Sequence, residues 1–272
     1  MTTIRVNKDL CTHCGICSVV CPMSIVNPAD ETTFPDVSNE NADKCIACGH
    51  CEVSCPSQAL ILNVRPDEKV EIPPDAGLLS AVDLSVYLKK RRSVRHFTEK
   101  PVPKEKILQI LDSTRYAPSG VNAQPVQWLV IHDQGNVQKI ACLTVAWMKT
   151  LQNTIHPLSR YASLLVSAFE SGQDVICRDA PHLLFAHIPK DNPGALTDAI
   201  IALTYFDVAA PSFGIGTCWA GFVSMAAMYY KPLQKELGLP DDRTCAYAMM
   251  VGHPKYKTYG LPRRNPLQVT WR

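Results

Sequence analysis

Two runs of closely spaced cysteines carry the clearest chemistry in this sequence. Each run has the spacing C-x2-C-x2-C-x3-C-P, and the eight thiols are those of Cys11, Cys14, Cys17, Cys21, Cys45, Cys48, Cys51 and Cys55. Thiolates at this spacing are ligands of 4Fe–4S clusters. Three of them at intervals of three residues wrap one corner of a cuboidal cluster, and the fourth reaches the other cluster. The pattern therefore predicts two 4Fe–4S clusters.

The repeat also predicts how the ligands are shared. The first cluster takes Cys11, Cys14, Cys17 and Cys55, and the second takes Cys45, Cys48, Cys51 and Cys21. Gly15 and Gly49 are expected to ease the tight loop between the ligands. The alternatives are structural zinc, which often takes two separated pairs of ligands, and disulfides. Neither alternative explains the third cysteine or the proline, so the clusters are favoured.

Residues 1–64 resemble a two-cluster bacterial ferredoxin, with "TTIRVN" and "ALILNV" as paired edge strands. The resemblance implies an electron conduit that passes electrons singly. His13 and His50 stand inside the cysteine loops. They either tune the cluster potential from beside the ligands or are solvated loop residues.

Composition restricts the class of protein. A length of 272 residues suggests about two domains, and 46% hydrophobic residues are enough for a packed core. The net charge of +2 argues against general binding to nucleic acid or a membrane surface. Residues 1–64 carry a net charge of −4 and residues 65–272 a net charge of +6, which favours two different modules.

Twelve cysteines without a signal peptide or an apolar run of about 18 residues predict metal ligation in a reducing cytoplasm. Cys142, Cys177, Cys218 and Cys245 lack ligand spacing and are predicted to be buried apolar residues.

The remaining chain predicts a second, α+β domain. We expect a cluster domain over residues 1–64, a Pro-rich linker over 65–79 and a layered α+β domain over 80–272. Asp83 is predicted to cap the first helix. Buried strands are predicted at 126–132, 182–188, 214–220 and 245–251. Helices are predicted to begin at Pro103 and to fill 136–152, 158–170, 195–210 and 224–238.

Three stretches of the second domain could bind a cofactor. In "KKRRSVRHF", arginine forks and a hydroxyl suit a phosphate, although a basic helix end also explains them. In "APSGVNAQP", small residues allow the backbone to approach a planar ring, although an ordinary loop has the same composition. In "GIGTCWAGF", backbone N–H groups can meet a ring, although a tight strand end is the plainer interpretation. The sequence contains no G-x-G-x-x-G or Walker motif.

These stretches, followed by "GHPKYKTYGLPRRNPL", resemble the FMN-dependent nitroreductase family over about residues 80–272. The resemblance implies a nitroreductase-type α+β sandwich and a homodimer with FMN at its interface. It assigns the FMN phosphate and ring edge to Arg91, Arg92, Ser93 and Arg95, joined by Arg263 or Arg264. It assigns one flavin face to the partner subunit's loop, through Pro118, Ser119, Gly120, Asn122 and Gln124. It assigns backbone N–H groups near flavin N5 and O4 to Ala220 and Gly221.

The sequence departs from the family pattern at two places. Val126 and Gln127 separate the Gln-Pro pair from Trp128, and Ala220 stands where some members have Glu. The second change removes a charge near the reactive edge. His96 is either a proton donor or a structural residue, and no catalytic residue is assigned.

The combination predicts a ferredoxin-linked, FMN-dependent oxidoreductase. FMN converts one-electron into two-electron chemistry, so electrons from the clusters can reduce a nitro compound, a quinone or a similar conjugated acceptor. The electron donor is a redox protein or NAD(P)H. The alternative is a relay that passes electrons to a partner protein and has no small-molecule substrate.

Overall fold

The structure, a computed structural model, describes residues 4–30, 32–63, 77 and 79–272. The described residues form two compact units. The cysteine-rich unit takes the described residues of Met1–Leu78 together with Val121–Ala123, and the second unit takes Leu79–Gly120 and Gln124–Arg272. Most of the predicted linker over 65–79 lies outside the described residues.

The cysteine-rich unit is built around a two-stranded antiparallel sheet. Strand β1 (Ile4–Val6) pairs with β2 (Leu60–Leu62), and Ile4 lies opposite Leu62. This confirms the predicted pairing of the two edge strands. Helices α1 (Ile16–Val19) and α2 (His50–Val53) complete the unit. Its buried core consists of Cys17, Val26, Cys51, Leu60 and Leu62.

The two halves of this unit repeat the same backbone geometry. Gly15 and Gly49, which directly precede α1 and α2, have φ angles of 72° and 74°. The second residue before each glycine is also left-handed, with φ of 58° at His13 and 52° at Ala47. Glycine adopts this conformation without steric cost, as the tight cysteine loop requires.

The second unit contains a four-stranded antiparallel sheet. Its strands are β3 (Gln127–Ile131), β4 (His182–Pro189), β5 (Gly216–Trp219) and β6 (Arg243–Gly252). Their order in the sheet is β3-β4-β6-β5. All four predicted strands are present, and the α+β fold class is confirmed.

Helices cover both faces of this sheet. They are α3 (Ala81–Lys90), α4 (Lys104–Thr114), α5 (Gln134–Leu151), α6 (Ser159–Glu170), α7 (Ala195–Ala209), α8 (Gly221–Tyr229) and α9 (Lys231–Leu237). Leu183 and Phe185 of β4 join the core with α5, α6 and α8, whereas Leu184 and Ala186 join the core with α4 and α7. Because both faces are buried, β4 is apolar at successive positions rather than at alternate ones.

One predicted helix is divided in two. Residues 224–238 were expected to form a single helix, but α8 ends at Tyr229 and α9 begins at Lys231. Pro232 lacks the N–H that would bond to Met228 O, so a continuous helix loses that bond. The Gln234 side chain donates to Met228 O instead, at 2.7 Å.

The predicted cap of the first helix of this unit is also wrong. Ser80, not Asp83, is the N-cap of α3, and its Oγ accepts from Asp83 N at 3.0 Å. Ser80 Oγ is also 2.6 Å from Asp83 Oδ2, to which it donates. The Asp83 side chain therefore supports the cap from within the first turn.

Candidate functional site

The eight cysteines of the two runs line two separate cavities. The first cavity is lined by Cys11, Cys14, Cys17 and Cys55, together with other residues of the unit. The second cavity is lined by Cys21, Cys45, Cys48 and Cys51, together with other residues of the unit. Each cavity therefore takes three thiols from one run and one from the other. The thiols are grouped as the repeat predicts, and the two ligand sets stay predictions.

The thiols around each cavity suit a cluster better than a single ion. Within the described residues, no three His, Cys, Asp or Glu side chains are grouped closely enough to hold one metal ion. A structural zinc draws four ligands to about 2.3 Å, whereas a 4Fe–4S cluster takes one thiolate at each iron. Each cavity offers four thiols, which is the number that a 4Fe–4S cluster takes.

The ligand thiols have unequal surroundings. Burial raises the pKa of Cys17 and raises the pKa of Cys51 to about 11. Burial also opposes ionisation of Cys55, but hydrogen bonds with Ser57 and the Ala59 backbone outweigh it and lower the pKa of Cys55. Because iron binds thiolates, binding of a cluster by Cys17 and Cys51 would release protons from these two thiols.

The two loop histidines differ in their contacts. His13 lines the first cavity, its Nδ1 is 2.7 Å from Asp30 O, and its ring packs 4.8 Å from that of Phe34. His50 begins α2 and is exposed. His13 is therefore the better placed of the two to influence a cluster.

The arginine segment of the second unit lies along the edge strand β5. Val94 N donates to Thr217 O at 2.8 Å, and Ser93 forms a parallel bridge with Thr217. Backbone pairing therefore fixes the residues between the predicted phosphate-binding arginines.

Several guanidinium groups approach one another around this segment. Burial, together with the charges of Arg264 and Arg91, lowers the pKa of Arg92. Arg92 Nη2 donates to Lys89 O at 3.1 Å, but its buried Nε has no hydrogen-bond partner among the described residues. Clustered cations with a buried, unsatisfied donor fit an anionic group such as a phosphate. Arg263 and Arg264 are both exposed, and of the two only Arg264 contributes to the lowered pKa of Arg92.

A buried carboxylate that sequence reasoning missed holds this region together. Asp207 of α7 is 4% exposed and lies 3.2 Å from Arg91 Nη1. Its carboxylate also accepts from Trp219 Nε1 at 3.1 Å and from the Thr217 hydroxyl. Asp207 therefore positions Arg91 against β5. In the sequence, Asp207 is marked by being an acid among the largely apolar residues at the C-terminal end of α7.

The charges of Arg95 and of a second missed residue, Arg178, act on Cys218 of β5. Burial raises the pKa of Cys218, while the charges of Arg95 and Arg178 act to lower it. Arg178 and Asp179 both have left-handed φ angles, of 60° and 52°. The loop is held by Asp174, whose carboxylate accepts from Cys177 N at 2.8 Å.

The small-residue loop over 117–125 is fixed at three points within the second unit. Gly120 N donates to the buried Asp198 at 3.0 Å, and Gln124 N donates to Ser119 Oγ at 3.0 Å. Pro118 precedes these contacts. At the end of the loop, Pro125 O accepts from Arg243 Nη2 at 2.6 Å. Asp198 and Arg243 were not identified from the sequence.

Asn122 belongs to the cysteine-rich unit. Its Nδ2 donates to Ile46 O at 3.1 Å and to Ala47 O at 2.9 Å. These carbonyls lie between Cys45 and Cys48 in the second cysteine run. The side chain predicted to line the flavin thus holds the backbone of a cysteine loop.

The start of α8 corrects one predicted donor. Ala220 N donates to Ala248 O at 2.9 Å, so the expectation that Ala220 offers a free N–H is wrong. Gly221 is the first residue of α8, and the first N–H groups of a helix have no intrahelical partner. Of Ala220 and Gly221, Gly221 is therefore the better candidate for a backbone N–H donor to the flavin.

Residues outside these sites have plainer roles. Cys177, Cys218 and Cys245 are buried as predicted, but Cys142 is exposed on α5. His96 is exposed, and its ring contacts that of Tyr256 edge-on at 5.6 Å. In the part of the chain that is described, every helix is too short or too polar to cross a membrane.

The cysteine-rich unit, with its two four-thiol cavities, has the features of an iron–sulfur domain. The second unit, with its arginine segment beside an antiparallel sheet, has the features of a flavoprotein domain. Residues 88–253 match the Nitroreductase family, and residues 10–60 match a 4Fe-4S dicluster domain. The chain belongs to the nitroreductase family. Both parts of the predicted fusion are confirmed.

Individual relatives agree with this family. The chain is 25% identical to an iodotyrosine deiodinase of Thermotoga neapolitana, over 64% of this chain and 90% of the relative. It is 25% identical to the putative NAD(P)H nitroreductase YfhC of Bacillus subtilis, over 66% and 89%. A mutant of the FMN and NADPH-dependent nitroreductase NfnB from sphigopyxis sp. strain HMH superposes with a TM-score of 0.52 at 27% identity, covering 66% and 94%.

Proposed function

We propose that this chain is an oxidoreductase that passes electrons between two 4Fe–4S clusters and FMN. Its substrate is a small conjugated acceptor such as a nitro compound or a quinone. The observation that carries this proposal is the presence, in one chain, of two four-thiol cavities and the Asp207-anchored arginine segment. The related NfnB enzyme is an FMN and NADPH-dependent nitroreductase, which supports the proposal.

The proposal gives each group of residues a task. The two clusters are held by Cys11, Cys14, Cys17 and Cys55, and by Cys21, Cys45, Cys48 and Cys51. Bound FMN would supply the exchange between one-electron and two-electron chemistry. Arg91, Arg92, Ser93 and Arg264 would hold its phosphate. Arg95 would place a positive charge near the pyrimidine edge, and Gly221 would offer its N–H. Asn122 is not among the proposed flavin contacts, because its amide donates to the carbonyls of Ile46 and Ala47.

We further propose that a second copy of the chain completes the flavin site. Helix α3 has no buried residue, and Val82 on it is 71% exposed. Leu267 and Trp271 near the C-terminus are 89% and 90% exposed. Apolar side chains left open on a helix and a terminal segment favour coverage by another chain. Light scattering of the holoprotein would test this, with a dimer expected.

The function is tested by anaerobic purification followed by cofactor analysis and turnover. We expect about eight irons per chain, as two 4Fe–4S clusters require, and one FMN. Reduction is then tried with NADH, NADPH and reduced ferredoxin in turn, with a nitroaromatic and a quinone as acceptors. Reduction of a small acceptor supports the enzyme. Cofactor reduction without turnover of any acceptor would replace it with the relay function, and a preparation without FMN would overturn both.

A further inference from the structure

The hydroxyl of Tyr247 stands beside the first residue of α8. Tyr247 is half-buried on β6, and a Cβ built at Gly221 would lie 3.2 Å from its Oη. A side chain at position 221 would therefore press against the hydroxyl. Glycine leaves the start of the helix open at this point, where the proposed function places the reactive edge of the flavin.

The Tyr247 ring is held by the network that also holds Arg91. Its ring meets that of Trp219 edge-on, with centroids 5.0 Å apart. The Trp219 indole donates to Asp207, whose carboxylate also pairs with Arg91. Edge-to-face packing fixes the direction of an aromatic ring. The hydroxyl of Tyr247 is thus positioned by the residues that shape the proposed flavin site.

A second set of bonds fixes β6 against α8. Ala248 N donates to Ser224 Oγ at 2.9 Å, and Ser224 Oγ donates to Ala220 O at 2.8 Å. Ala248 directly follows Tyr247, and Ala220 directly precedes Gly221. The distance between the phenol and the helix start is therefore set by hydrogen bonds on both sides.

No other described residue forms a hydrogen bond with the Tyr247 hydroxyl. A partly buried tyrosine O–H usually finds a partner, so this one is available for a ligand. The phenol of a tyrosine is protonated at neutral pH, and burial raises the pKa of Tyr247 further above that range. Ala220, which directly precedes Gly221, carries no acidic group.

We propose that Tyr247 is a catalytic proton donor to the electron acceptor. Its hydroxyl donates a hydrogen bond to an oxygen of the acceptor and transfers that proton as the acceptor is reduced. A quinone, for example, would gain two electrons and one proton, which bound reduced FMN would supply, and would take its second proton from Tyr247 to become a hydroquinone. The tyrosinate regains its proton from water. This proposal rests on the proposed function.

The test compares Tyr247→Phe with Tyr229→Phe, a control at the exposed C-terminal end of α8. FMN content is measured first. Nitrobenzene is then titrated into the oxidised holoprotein without reductant, and binding is followed by flavin absorbance. We expect Tyr247→Phe to keep FMN and to bind nitrobenzene about fivefold more weakly, since one hydrogen bond is lost. Its turnover of 1,4-benzoquinone should fall about 100-fold, as for loss of a general acid.

A replacement of Tyr247 by 3-fluorotyrosine separates catalysis from folding. This phenol is more acidic, so the loss of turnover at alkaline pH should begin at a lower pH, while the same replacement at Tyr229 should leave the profile unchanged. If Tyr247→Phe binds nitrobenzene and turns over benzoquinone as well as the wild-type protein does, the proposed role of Tyr247 is wrong. An unshifted pH profile with 3-fluorotyrosine would refute it as well. Either result would leave the proposed function standing. Absence of FMN from the wild-type protein would instead overturn the proposed function.

Discussion

The two units hold their proposed cofactor ligands in opposite ways. In the cysteine-rich unit, all eight thiols lie between Cys11 and Cys55, and two short loops of the same geometry present them. In the second unit, Arg91 is positioned by Asp207, which is 116 residues further along the chain. The first site depends on local backbone conformation, whereas the second depends on the packing of α7 against β5. The two sites should therefore respond differently to substitution.

The glycines show the same contrast. Gly49 has a φ of 74° and open space around its missing Cβ. Gly216 has a different constraint, because a Cβ there would lie 2.5 Å from Val94 Cγ2. Glycine is thus required for its conformation in one unit and for close packing in the other.

The largest expected effect is the loss of a cluster through one ligand. Cys48→Ser removes a thiolate from the second cavity, and we expect iron content to fall from about eight to about four per chain. FMN content should stay unchanged, because the substitution leaves the second unit intact. Iron and flavin analysis of anaerobic preparations measures both. Cys142→Ser, at an exposed cysteine outside both sets, is the matched control. Unchanged iron in Cys48→Ser would refute the ligand assignment.

A substitution at Asp207 should destabilise the second unit and leave the iron content of the cysteine-rich unit unchanged. Asp207→Asn retains the shape of the side chain but removes a buried charge from three donors, which should cost about 3 kcal/mol of the free energy of unfolding. Denaturant unfolding followed by tryptophan fluorescence measures this cost, while iron content should stay intact. A double-mutant cycle with Arg91→Ala should give a coupling of about 1–3 kcal/mol. Strictly additive effects would contradict the positioning of Arg91 by Asp207.

Alanine substitutions at the two glycines sharpen the contrast. Gly216→Ala should cost about 2 kcal/mol by overpacking and should weaken FMN retention, because Val94 belongs to the arginine segment. Adding Val94→Ala should restore part of both losses. Gly49→Ala should cost about 1 kcal/mol through its left-handed conformation, and no neighbouring substitution should rescue it. If a neighbouring substitution restored the stability of Gly49→Ala as fully as Val94→Ala restores that of Gly216→Ala, the two glycines would not differ in the way described.

The smallest effect is a pH dependence confined to the second unit. Burial lowers the pKa of His182 to about 4, and its Nε2 accepts from Val102 N at 2.8 Å. The folded unit therefore keeps His182 neutral, so its stabilising contribution is present above the unfolded pKa of about 6.5 and is lost as pH falls towards 4. Between pH 7 and 5.5 the unfolding free energy should drop by about 1 kcal/mol on this account. His182→Gln should flatten that slope, and an unchanged slope would exclude His182 as its source.

The same contrast explains which features were predictable. Cysteine spacing is a local property, so the grouping of the thiols around two cavities could be inferred from the two cysteine runs. The pairing of β1 with β2 could be inferred from two short apolar runs. The strands of the second unit were also evident as apolar runs. The partnership of Arg91 with Asp207 could not be inferred, because it exists only once α7 packs beside β5. The engagement of Ala220 N with Ala248 O likewise depends on the register of β6 against the end of β5.

The central claim is that electrons reach a flavin through clusters in the same chain. It is tested most directly by stopped-flow reduction of the holoprotein with reduced ferredoxin, followed at the flavin absorbance. The wild-type protein is compared with Cys14→Ser/Cys48→Ser, which removes one ligand from each set, after equal FMN content has been established. The account predicts that flavin reduction slows at least 100-fold in the double variant. Equal rates of flavin reduction in the two proteins would contradict it.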